Sequence, residues 1–193
     1  YTGDTTDPVF SKFYGDTQDR ATTISTELLF FMLELNRIDD AILDAAAAKP
    51  PLAHYKPWLI DIRLEKPYQL DDQLEQVFLE KSVTGASAWN RLFDDTMAAL
   101  RFSFDGEELT LEPILNKFQD PDEAVRRRAS DALVKTFKAN LRAFALITNT
   151  LAKDKEISDR WRGFKDIADS RHLSNRVERE VVEALVSAVR QAY

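Results

Sequence analysis

The chain has 193 residues, 44% of them hydrophobic, with 33 acidic against 26 basic residues and a net charge of −7. Cysteine is absent, which excludes a disulfide framework, a CxxC redox pair and any thiolate metal site, and the distributed acidity argues against nucleic acid as a partner. A chain of this size can bury a substantial core as one domain or one intimate pair of helical subdomains, and five glycines and seven prolines among many helix formers predict a mainly α fold.

The N-terminus, Tyr1-Thr2-Gly3-Asp4, has no basic region followed by an apolar stretch, and no apolar run in the chain reaches the ~18 residues of a membrane span. The expectation is a soluble, cytoplasmic protein with no membrane partner. From Asp7 to Ile38, Phe10, Phe13, Tyr14, Ile24, Leu28, Phe31, Leu35 and Ile38 recur at three- and four-residue steps, as one helix face requires. Asp7 before Pro8 reads as an N-cap and first-turn pair. The run Leu28-Leu29-Phe30-Phe31-Met32-Leu33 is apolar nearly all round, which predicts burial on more than one side.

A second helix over Asp39–Ala48 should stop at Lys49-Pro50-Pro51, since two prolines cannot continue it. His54-Tyr55-Lys56-Pro57 reads as a connection, Trp58–Arg63 as a short helix, and Tyr68-Gln69-Leu70-Asp71 as the opening of a helix that runs to Lys81. Thr84-Gly85-Ala86-Ser87 opens the next, with Ala88, Trp89, Leu92, Phe93, Thr96, Met97 and Leu100 on its face. The period then changes from 3.6 to 2. Phe102 and Phe104 alternate, Asp105-Gly106 follows, and Leu109 and Leu111 alternate beyond, which predicts one small β-hairpin near 101–111.

Asp120-Pro121-Asp122-Glu123 supplies an N-cap, a first-turn proline and a capping-box glutamate. Val125, Ala129, Leu133, Phe137, Leu141, Phe144, Ile147 and Leu151 then predict a single long stripe. A final helix is expected from Asn175, with Glu178 at the capping-box spacing and Val181, Val182, Leu185, Val186 and Val189 on its face. The predicted architecture is a multi-helix, bundle-like array with one hairpin. A start without methionine and a stop inside a helical rhythm at Val189–Tyr193 are what cuts within a longer protein would leave.

The chemistry-bearing residues form no known constellation. His54 and His172 are followed by Tyr55 and Leu173, so neither begins the His-Glu-x-x-His helix of a zinc peptidase. Gly3, Gly15, Gly85, Gly106 and Gly163 are too scattered for a nucleophile elbow or a phosphate loop. The acidic doublets Asp39-Asp40, Asp71-Asp72, Asp94-Asp95 and Glu107-Glu108 fit capping and solvated positions better than general acid-base work. Arg126-Arg127-Arg128 fans round a helix by ~100° per residue, with Asp122, Glu123 and Asp131 as partners in reach. Trp58, Trp89 and Trp161 could each stack on a ligand; Trp89 reads as core and Trp161 as exposed or interfacial. No catalytic or metal-ligating residue is therefore assigned, and substrate-binding residues stay unknown.

The stretch Glu80-Lys81-Ser82-Val83-Thr84-Gly85-Ala86-Ser87-Ala88-Trp89, the Phe102–Leu111 hairpin, Asp120–Arg128, Lys153-Asp154-Lys155-Glu156-Ile157 and Asp169–Val177 occur in an order that resembles the N-terminal region of oligoendopeptidase F, in the thimet oligopeptidase-like family. The resemblance implies a longer, mostly helical zinc endopeptidase that cleaves oligopeptides in a deep channel. It places the catalytic zinc domain beyond residue 193 and makes residues 1–193 a non-catalytic lobe that forms part of the channel wall. Zinc would belong to the parent enzyme and not to this part, which is expected to be inactive alone. The expected partners are the C-terminal catalytic domain of the same chain and oligopeptide substrates. Apolar faces left uncovered would favour self-association. The alternative reading is a stand-alone helical adaptor that binds a partner helix or peptide.

Overall fold

Helix α1 (Pro8–Arg37) opens as the sequence predicts. The Asp7 carboxylate accepts from the N–H groups of Val9 at 2.7 Å and Phe10 at 3.2 Å, which the first turn leaves without intrahelical acceptors. The computed structural model describes residues 7–193, so the Tyr1–Asp4 stretch considered above lies outside the described residues. Helix α2 (Asp40–Ala47) is capped by Asp39, which accepts from Ala41 and Ile42 N–H at 2.9 and 3.3 Å, and it ends ahead of a cis Pro50–Pro51 peptide.

Two connections differ from expectation. Residues Leu52–Tyr55 form a 3₁₀ turn and α3 (Lys56–Arg63) begins two residues before Trp58, because Pro57 is accommodated in a first turn that needs no N–H from it. Tyr68-Gln69-Leu70 precedes α4 (Asp72–Ser82) instead of opening it; Lys66–Tyr68 is a 3₁₀ turn, and Asp71 caps the helix by accepting from Leu74 N–H at 3.0 Å.

Helix α5 (Ala86–Ala99) leads into the predicted hairpin, β1 (Phe102–Phe104) and β2 (Glu107–Leu109), with Phe102 opposite Leu109 and Phe104 opposite Glu107. Asp105 at φ 50° and Gly106 at φ 91° give the two positive-φ positions of a type I′ turn. The alternation does not extend to Leu111, which opens α6 (Leu111–Asn116). Pro113 lies in the first turn of that helix, where its missing N–H has no intrahelical acceptor to lose.

Helix α7 (Glu123–Arg162) starts later than Asp120 predicts: Asp120 accepts from Asp122 N–H at 2.9 Å, and Asp122 accepts from Ala124 N–H at 2.8 Å. It ends at Gly163, φ 81°, where Phe164 N–H reaches back to the Asp159 carbonyl at 3.0 Å and Gly163 N–H to Arg160 at 3.3 Å. The same arrangement closes α8 (Asp169–Ser174): Arg176 adopts φ 52°, and Val177 N–H donates to the His172 carbonyl at 3.1 Å. Asn175 therefore belongs to a helix end, not a helix start, and α9 (Arg179–Ala192) begins after Glu178, whose side chain makes no cap hydrogen bond.

The described residues divide into two compact units. The first holds the residues up to Thr22 and Lys81–Asp154. Its core gathers Leu100, Phe102 and Phe104 with Ile114 of α6 and Ala129, Ala132 and Leu133 of α7. Phe102 meets Phe137 edge to face at 5.7 Å, and Phe137 and Phe93 each meet Phe144 at 5.9 Å. Leu141 points away from this core, 61% exposed. Each four-residue step overshoots a helical turn by about 40°, so four steps from Val125 carry Leu141 off the stripe. Half-buried Asn140 sits nearer the stripe's continuation.

The second unit holds Thr23–Glu80 and Lys155–Tyr193. Leu43 and Ala47 of α2 pack on Leu59 of α3 and Leu35 of α1. Arg63 locks this packing by donating to the Leu35 and Asn36 carbonyls at 3.1 and 2.8 Å, placing a cation at the C-terminal end of α1. The apolar run of α1 is not buried all round: Leu33 is buried, while Leu28 is 60% and Phe31 51% exposed. The helix covers only the stripe that meets neighbours.

Candidate functional site

A cleft of about 460 Å³ lies within the second unit. Its floor is apolar, from Leu29, Met32 and Leu33 of α1 and Leu173 of α8. Tyr68 and Phe164 stack in parallel at 4.0 Å on its wall. The cleft is braced by a bidentate ion pair, in which Arg162 at the end of α7 donates to both carboxylate oxygens of Glu75 at 2.7 and 2.9 Å. Arg162 also donates to the Tyr68 carbonyl at 3.2 Å and lies over the Phe78 ring at 5.6 Å.

Burial works to raise the pKa of Glu75, but the hydrogen bonds from Arg162 and from Leu70 N–H, with the Arg162 charge, outweigh it and hold the carboxyl below its ordinary value. The hydrogen bond to Glu75 raises Arg162 in turn, against burial. Two further carboxylates on the rim are also paired, Glu65 with Arg176 at 2.7 Å and Asp159 with Lys155, whose ammonium also donates to Ser170 Oγ at 2.9 Å. Two polar atoms lack such partners: among the described residues, Asn36 Oδ1 and Gln69 Oε1 are buried without a hydrogen bond, and both residues line the cleft. Asn36 is 6% exposed.

The residues singled out in the sequence are elsewhere or in other roles. His54 is exposed in the 3₁₀ turn, edge-on to Tyr55 at 5.2 Å, and His172 is half-buried in α8. Among the described residues no group of three His, Asp or Glu side chains could hold a metal ion, so the residues present do not fit zinc. Asp39 and Asp71 cap helices, Asp40 pairs with Arg63 at 2.6 Å and Lys66 at 3.1 Å, and Asp72 pairs with Arg37. The arginine run does fan out: Arg126 donates to the Asp120 and Pro121 carbonyls, Arg127 to Glu123, and Arg128 bidentately to Asp105 in the hairpin turn at 3.0 and 3.1 Å. Asp105 takes the role expected of Asp131, because the fold brings the hairpin to α7. Trp89 is half-buried, while Trp58 and Trp161 are exposed. The sequence drew no attention to Asn36, Gln69 or Glu75. Glu75 and Arg162 are 87 residues apart, and no local spacing announces such a pair.

Residues 34–102, from the end of α1 to the first residue of β1, match a family model described as Oligopeptidase F. The resemblance to oligoendopeptidase F is borne out. Of the stretches that carried it, Glu80–Trp89 falls inside the oligopeptidase F match, while all but the first residue of the hairpin, Asp120–Arg128 and the two later stretches fall outside it. The fold covers them. The crystal structure of oligoendopeptidase-F from Enterococcus faecium superposes with a TM-score of 0.82 over 98% of this chain at 18% sequence identity. This chain spans 39% of the length of that oligoendopeptidase-F. No curated protein matches the chain.

Proposed function

We propose that residues 1–193 are the non-catalytic N-terminal helical lobe of a zinc-dependent oligoendopeptidase that hydrolyses oligopeptides, and that they form part of its substrate-channel wall. The observation that carries this reading is the fold likeness of 98% of the chain to 39% of the Enterococcus faecium oligoendopeptidase-F, joined to the oligopeptidase F match over residues 34–102. The partner is then a catalytic domain of the same polypeptide, which supplies the zinc that these residues do not fit. Helical walls admit a thin, flexible peptide and exclude a folded protein, so substrate selection by size is steric. The lack of cysteine suits a reducing, cytoplasmic setting. Among the described residues no helix is long and apolar enough to cross a membrane.

The outer apolar faces support a lobe that meets another surface. Val181, Leu185, Val186 and Val189 of α9 are 42–65% exposed on one side of an amphipathic helix, a pattern more typical of an interface than of a free surface. The test uses the product of the full coding sequence, offered one cleavable sequence as a short quenched fluorescent peptide and within a loop of a folded protein. Chelator-sensitive cleavage of the peptide alone is expected. Equal cleavage of both substrates would remove the wall from the account.

A further inference from the structure

Another concave surface lies wholly within the first unit, a groove of about 160 Å³ where one face of α5 meets α1. Ser87, Asn90, Arg91 and Asp94 fall at i, i+3, i+4 and i+7 of α5, and Tyr14 and Gln18 of α1 complete the lining. Charge withdrawn from water is ordinarily matched by a partner. Arg63, Arg126, Arg162 and Arg179, all half-buried, hold backbone carbonyls or carboxylates. Arg91 is half-buried as well, yet among the described residues its guanidinium has no partner, and neither has the Asp94 carboxylate in the same groove. The two do not pair with each other, and an arginine that precedes its acid on a helix is in the less favourable order for doing so. Gly15 makes the room: a Cβ there would come within 3.1 Å of Arg91 Nη1, although glycine inside a helix is destabilising relative to alanine.

We infer that this groove binds a small zwitterion, a free α-amino acid, whose carboxylate accepts from the Arg91 guanidinium and whose ammonium donates to the Asp94 carboxylate. A lone anion would enter beside Asp94 and a lone cation beside Arg91, so each would meet one like charge. The zwitterion meets none. The Gln18 and Asn90 amides and the Ser87 hydroxyl, also without partners among the described residues, can donate to the ligand's carboxylate or accept from its ammonium. Size sets the limit: 160 Å³ holds roughly five waters at ~30 Å³ each, which suits an amino acid as small as alanine. The inference stands on this groove alone and does not rest on the peptidase reading; each can fail without the other.

The experiment uses the product of the full coding sequence and three probes that share a methyl group: L-alanine, propionate, which keeps only the carboxylate, and ethylamine, which keeps only the ammonium. Saturation transfer from the protein to each methyl, titrated at neutral pH, reads binding. Saturable binding of alanine is expected, with propionate and ethylamine at least about tenfold weaker, the equivalent of one lost charge-assisted hydrogen bond. Arg91→Gln and Asp94→Asn should each weaken alanine binding at least about tenfold. Asp94→Asn, by removing the like charge, should bind propionate more tightly than the natural chain does. No saturable binding of alanine, or equal binding of propionate or ethylamine, overturns the inference on the natural chain, whether or not the variants fold. Alanine binding left unchanged by either variant overturns it as well, since the amino acid would then sit elsewhere.

Discussion

Glu75 and Arg162 show how much one pair can hold when both partners are largely withdrawn from water. The side chains are 12% and 25% exposed, and each of the two bonds is charge-assisted. Replacing Glu75 by Gln leaves the Arg162 guanidinium half-buried with its main partner gone, at a cost of about 2 kcal/mol near neutral pH, measured by chemical unfolding. The pH dependence follows from the direction of the shift. Because the folded state holds the Glu75 carboxyl below its ordinary value, the pair's contribution is present above that value and is lost as pH falls through the depressed one. The stability gap between the natural chain and Glu75→Gln should therefore close as the solution is acidified into the carboxylate range. A gap that stays constant would mean that the cost of the variant is steric. None of this was legible from residue spacing, since a glutamate and an arginine far apart in sequence announce nothing until helices α4 and α7 bring them together.

Elements were legible where their determinants are local. Asp7, Asp39 and the Asp105-Gly106 turn each act within three residues, and each does what its position predicts. Gly106 sits at φ 91° with open space around its α-carbon, so Gly106→Val meets no clash and still forces a β-branched residue into a disfavoured conformation. A loss of about 1–2 kcal/mol is expected, and a neutral variant would mean that the turn relaxes without cost. Asp122→Ala should cost about 1 kcal/mol, because Asp122 is the residue that accepts from Ala124 N–H at the start of α7. Both losses can be read from thermal unfolding. The boundaries that were misread had competing local signals. Asp120 and Asp122 are both acceptable caps, and the Asn175 region carries a capping spacing while Arg176 in fact takes the left-handed position that closes α8. Leu111 continues an alternation whose pairing partner has already run out.

At the scale of the molecule, the apolar residues were legible as amphipathic faces, but what covers them was not. The α1 run was expected to be buried on several sides, yet Leu28, Phe30 and Phe31 are exposed, as is the face of α9. A sequence reports that a face is apolar and does not report where its cover comes from. Leu185→Asp with Val189→Asp should change the stability of the isolated chain by no more than about 0.5 kcal/mol, because neither side chain is buried in it, and should reduce its self-association in sedimentation experiments. A large loss of stability would mean that these residues pack within the chain. The cleft in the second unit was the least legible feature, because it is assembled from α1, the segment before α4, the end of α7 and α8, which lie far apart in sequence.

The proposed function makes residues 1–193 part of a zinc oligoendopeptidase without its chemistry. Zinc content and oligopeptide cleavage, measured side by side on the purified 193-residue chain and on the product of its full coding sequence, test it most directly. About one zinc per chain and chelator-sensitive cleavage are expected for the full product, in line with a single catalytic site, and neither for residues 1–193 alone. Chelator-sensitive turnover by the 193-residue chain, or a full product that neither holds zinc nor cleaves peptides, would contradict it.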